Sequence, residues 1–159
     1  RAAGAPEVAL AEIDELGLLG VRPTPAAVRL YCEKVATVIQ EQAAGGNVLL
    51  VGRGSQIVLR GRPGVLHLRV VAPFELRVAC VQERCAISAE AAVARVHASD
   101  KARAGFLRRN FHVGWDDPML YDIILNMAHL EVAGAVEAIA GALRHGGKAV
   151  PLAPGETAL

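Results

Sequence analysis

Apolar residues recur along this chain in two rhythms, a three-to-four-residue period and short unbroken runs bounded by glycine. Between residues 7 and 19, Leu10, Ile13, Leu16 and Leu19 fall on one side of a helix and Glu12, Asp14 and Glu15 mostly on the other, with Gly17 and Gly20 weakening its end. Thr24-Pro25 reads as an N-cap followed by proline at the first helical position. Val28, Tyr31, Val35, Val38 and Ile39 then predict a helix to about Ala44, stopped by Gly45-Gly46. The run from Asn47 to Val51 changes the rhythm. Closed by glycines on both sides, it predicts a strand buried on both faces of a parallel sheet. Gly52-Arg53-Gly54-Ser55 would follow at the carboxyl end of that strand, where such sheets bind ligands, and Arg53 would point a charged fork at what enters.

The cluster Gly61-Arg62-Pro63-Gly64 predicts a turn, and Val65 to Val71 a second strand. Pro73 opens a helix through Phe74, Leu76, Val78 and Val81 that ends near Cys85 or Ala86; Ser88 caps another, with Glu90 and Ala91 in its first turn, running towards Phe111. Val113 to Pro118 breaks that helix and contains the only tryptophan, and Tyr121 to Asn126 predicts a third strand. A last amphipathic helix covers about Glu131 to Arg144, with Val132, Val136, Ile139, Ala140 and Leu143 inward and Gly146-Gly147 closing it. Strands alternating with helices predict an α/β fold with a parallel sheet, a single domain over residues 1 to 150 with a flexible tail over 151 to 159.

Charge sharpens this outline. The formal net charge is only +1, yet residues 47 to 115 carry eleven Lys/Arg against four acids, and fourteen of the seventeen basic residues are arginine. Arginine suits bidentate recognition of phosphate. The span from Arg95 to His112 holds Arg95, Lys101, Arg103, Arg108 and Arg109 against the single acid Asp100, with Asp100 and Arg103 sharing a helix face. Nucleic-acid binding through this span is disfavoured, because aromatic residues make up only 4% of the chain and do not alternate with the arginines. Cys32, Cys80 and Cys85 are odd in number with no C-x-x-C spacing, and the five histidines form no ligand pair at helical spacing. Reduced thiols in a cytoplasmic protein and no metal site follow as expectations. No run of 18 apolar residues lacks a charge, so no membrane partner is expected.

Several of these pieces together resemble the cytidylate kinase-like family, relatives of the nucleoside monophosphate kinases. They are Gly46 to Gly54, Ala72-Pro73, Ser99-Asp100-Lys101-Ala102-Arg103, and Phe111 to Asp122, and their order and spacing cover roughly residues 25 to 143. The resemblance implies a three-layer P-loop-kinase-like parallel sheet with flanking helices and a helical lid over about 88 to 112. It implies ATP-dependent phosphoryl transfer to a nucleoside monophosphate or another phosphate-bearing small molecule, with ATP and Mg²⁺ as cofactors. Where the relatives carry Gly-Arg-Asp, this chain has Gly52-Arg53-Gly54: the arginine is kept, whereas the acid that contacts the acceptor sugar is not. By the same resemblance Arg103 and Arg108 are catalytic, closing over the transferring phosphate. Arg53, Ser55, Arg77, Asp100 and Arg109 are substrate-binding.

No G-x-x-x-x-G-K-[ST] occurs, so the site for ATP and Mg²⁺ is not recognisable, and the fold reads as incomplete at its N-terminus. In the P-loop kinase topology the missing strand lies between those matching Val48 to Val51 and Leu66 to Val71. Three readings stay open: the chain is a piece of a longer protein, as the missing initiator Met suggests; the sheet closes up; or a partner chain supplies the strand. A homo-oligomer is a separate expectation. The functional readings divide likewise between a phosphotransferase inactive without its P-loop and a non-catalytic nucleotide-binding, anion-binding or subunit-interaction module.

Overall fold

The computed structural model describes residues 24–145. The helix expected over residues 7 to 19, the closing Gly146-Gly147 and the tail lie outside the described residues. The described residues divide into two units, one up to Leu59 and one from Arg60 onward.

In the first unit, α1 (Pro25–Ala44) forms as its signals predict. The Thr24 hydroxyl accepts from the Ala27 amide at 3.2 Å, satisfying one of the donors a helix start leaves open, and Pro25 occupies the first turn. Tyr31, Cys32 and Ile39 form its buried side, and α1 packs on the short α2 (Ser55–Val58). The run between these helices corrects the sequence reading. Val48 to Val51 forms no strand, and Leu49 and Val51 are 82% and 85% exposed. An apolar run becomes a strand only when a neighbour takes up its backbone groups, and such pairing is not encoded locally.

The second unit holds the sheet. β1 (Leu68–Val71) pairs in parallel with β2 (Ile123–Asn126), in a register running from Leu68 opposite Ile123 to Val71 opposite Asn126. The architecture among the described residues is therefore mixed α/β, mostly helical, with two strands where three were expected. Both strands are shorter than read, because parallel pairing extends only as far as both backbones run alongside. The Asp122 carboxylate fixes the entry, accepting from the His67 amide at 2.6 Å while the Asp122 amide donates to the His67 carbonyl at 2.8 Å.

Parallel strands need a crossover, and here it includes α3 (Phe74–Cys85) and α4 (Ala89–Phe111), which pack on each other. Both helices match the sequence reading almost to the residue. Ala86 ends α3 with a left-handed backbone (φ 51°), and the Ile87 amide reaches back to the Gln82 carbonyl at 3.3 Å. Ser88 then caps α4 by accepting from the Ala91 amide at 3.3 Å. This three-residue turn reverses the chain and lays α4 along α3. Ala92, Val96, Leu107, Leu120, Leu125 and Ala135 are buried in this unit. On α5 (Val132–His145) the expected inward face is corrected in part: Ala135 is buried and Ile139 and Ala140 are half-buried, but Val132, Val136 and Leu143 are exposed.

Candidate functional site

Helical spacing prepares the site on α3. Arg77, Cys80, Val81 and Arg84 stand at steps of three, four and seven residues and so share one face. Across from them α4 presents Arg95, Val96, Ser99, Asp100 and Arg103. The two faces line a groove of about 510 Å³, together with Ala72, Leu76 and Met127. Four guanidiniums and one carboxylate line it, so its potential favours anions.

The charged centre is tight. Arg77 Nη1 lies 2.8 Å from both carboxylate oxygens of Asp100, and Arg103 Nη1 reaches one of them at 3.4 Å. Arg77 and Asp100 are about one-third and one-quarter exposed, whereas Arg103 is more open. One carboxylate thus holds two arginines at the groove, and Arg77 Nε is buried without a hydrogen-bond partner. An incoming phosphate has donors to meet, but it must compete with Asp100 for them.

An aromatic support flanks this cluster. The Arg69 guanidinium lies 4.7 Å from the Trp115 ring centroid and 5.7 Å from that of Tyr121, and Arg103 lies 6.0 Å from the same indole. The Tyr121 hydroxyl donates to the Trp115 carbonyl at 2.7 Å, fixing the loop that carries the indole. Phe74 and His97 stack at 4.7 Å between α3 and α4.

The structure brings together Arg77, Asp100 and Arg103 of the residues singled out by sequence. Arg108 and Arg109 lie on the last turn of α4, outside the groove lining. Arg109 folds back over Gly105, where an added Cβ would lie 2.7 Å from its Nη1. Arg53 and Ser55 belong to the first unit; Arg53 donates to the Tyr31 hydroxyl at 2.9 Å. Sequence reasoning did not single out Arg84, Trp115 or Arg69 as site residues, nor assign Arg95 a role. The seven-residue step from Arg77 to Arg84 was a legible signal, whereas the cation–π contacts, which join residues far apart in the chain, left none.

The Gly52-Arg53-Gly54 loop forms no phosphate cradle. Gly52, Arg53 and Gly54 all have positive φ, but the Ser55 amide is bonded to the Gly52 carbonyl and the Ile57 and Val58 amides to the Gly54 carbonyl. The loop therefore spends those donors on itself instead of offering them to a phosphate. Among the described residues no three His, Cys, Asp or Glu converge as metal ligands, and no helix is long and apolar enough to cross a membrane.

The sequence pattern of the cytidylate kinase-like family matches residues 17–129. Among solved structures, an uncharacterised protein from Eubacterium ventriosum aligns with a TM-score of 0.65 at 17% identity, over 79% of this chain and 69% of its own. At that identity the likeness speaks for the fold alone. No curated protein matches.

Proposed function

Because the chain belongs to the cytidylate kinase-like family, we propose that the groove between α3 and α4 receives the phosphate of a nucleoside monophosphate, as the acceptor and lid part of a phosphotransferase. The observation that carries this reading is the convergence of Arg77 and Arg103 on Asp100 in a groove with two further arginines. Arg77 supplies a fork for the acceptor phosphate, and Arg103 offsets charge developing on a transferring phosphoryl group. Asp100 orients both while the groove is empty. Arg108 and Arg109 extend the lid, and Arg53 and Ser55 are acceptor contacts assigned by their motif alone. On the same reading the two paired strands are part of a three-layer P-loop-kinase sheet. ATP and Mg²⁺, used by relatives, have no matching residues here, so no step is assigned to them.

That mismatch favours a second reading, a nucleotide- or anion-binding module without catalysis. Two measurements separate the readings. Thermal shift with CMP, dCMP and UMP tests binding, since a ligand of the native state alone must raise the midpoint. The shift should vanish in Arg77→Ala/Arg103→Ala; a shift that survives places the site elsewhere. A coupled assay with ATP and each nucleotide tests transfer, and binding without turnover selects the second reading.

A further inference from the structure

Two thiols in the α3–α4 groove play no part in phosphate binding. Cys80 and Cys85 are both exposed and both line the groove, whereas Cys32 is buried on α1. Cys80 sits one turn after Arg77 and one turn before Arg84 on the same face of α3, and Arg95 and Arg103 line the groove from α4. A disulfide-bearing anion drawn in by these guanidiniums would arrive at a thiol.

We propose that Cys80 is a modification site for anionic disulfides, glutathione disulfide being representative of the class, and that the adduct occupies the groove. The step is thiol–disulfide exchange. Cys80 loses its proton to solvent, and Sγ attacks one sulfur of the reagent. The reagent's S–S bond breaks as a new one forms to Cys80, and the other half leaves as a thiolate with the electron pair. Cys80 is oxidised and the departing half reduced, so no further co-reactant is required. The arginines act twice, concentrating the anion and stabilising the negative charge on the leaving sulfur. That the adduct also blocks nucleotide rests on the proposed function; the reactivity of Cys80 does not.

The test compares the dianionic reagent dithiobis(nitrobenzoate) with neutral dithiodipyridine on the Cys85→Ser protein, whose remaining thiols are Cys80 and the buried Cys32. The expected ratio of anionic to neutral rate is about tenfold above that of the same chain unfolded in urea. It should fall as salt is added and in Arg84→Ala/Arg95→Ala, and the fast phase should be absent in Cys80→Ser. Mass spectrometry after glutathione disulfide should place a single adduct on Cys80. A ratio equal to that of the unfolded chain, or a fast phase surviving Cys80→Ser, overturns the proposal. Protection by CMP reads the other claim. If CMP neither slows the reaction nor shifts the melting midpoint while the charge preference persists, the nucleotide reading fails and the thiol site stands. If CMP binds but the preference is missing, the thiol inference alone fails.

Discussion

Arg77 on α3 places Nη1 at 2.8 Å from both carboxylate oxygens of Asp100 on α4, so the one acid among the described residues lining the groove holds a donor that would otherwise face a phosphate. Asp100→Asn keeps the shape and removes the charge. Partly exposed ion pairs contribute about 1 kcal/mol at most, so inorganic phosphate should bind up to about fivefold more tightly while the unfolding free energy falls by up to a similar amount. Calorimetric titration with phosphate and urea unfolding check the two effects. Unchanged affinity would mean that Asp100 does not compete with the ligand.

Trp115 holds Arg69 and Arg103 by its ring. Arg69 Nε is buried without a hydrogen-bond partner, so the indole is a main compensation for that charge. Trp115→Ala should cost about 2 kcal/mol through lost packing and cation–π contact. Because Trp115 is the only tryptophan, its fluorescence in the unsubstituted protein should change when a ligand moves Arg103.

The turn between α3 and α4 carries a correctable strain. Ala86 adopts a left-handed backbone with φ 51°, which costs an L-residue about 1 kcal/mol relative to glycine. Ala86→Gly should raise stability by about that amount in urea unfolding and leave the groove's phosphate affinity unchanged.

Burial on α1, with the adjacent Glu33 adding to it, pushes the Cys32 thiol above its ordinary 9.0. The unfolded chain therefore loses this proton first. The contribution is complete below about pH 9 and is lost as pH rises through the folded value. Urea midpoints of the native protein should fall more between about pH 8 and about pH 10 than those of Cys32→Val, in which the thiol is gone.

Leu49 and Val51 are largely exposed despite their apolar character. Leu49→Ser and Val51→Ser should each change stability by no more than about 0.5 kcal/mol, whereas truncating a buried strand residue typically costs about 2 kcal/mol or more. Chemical denaturation distinguishes the two.

Helices were legible wherever their signals were local. Thr24-Pro25 and Ser88 announce helix starts through side chains that accept amides three residues on, and the structure uses both. The site was half legible. Arg77, Asp100 and Arg103 stood out through charge and resemblance, but that Arg77 meets Asp100 depends on the reversal at Ala86, and Arg84 and Cys80 gain meaning only once α4 lies along α3.

By itself the sequence determined α1, α3 and α4, the caps at Thr24 and Ser88 and the arginine excess of the middle segment, because each depends on residues within a turn or two of one another. Tertiary structure decided the rest. Val65–Val71 and Tyr121–Asn126 carry strands because each finds the other, whereas Val48–Val51, more apolar than either, forms none. A strand's backbone groups need a partner that the run itself does not contain.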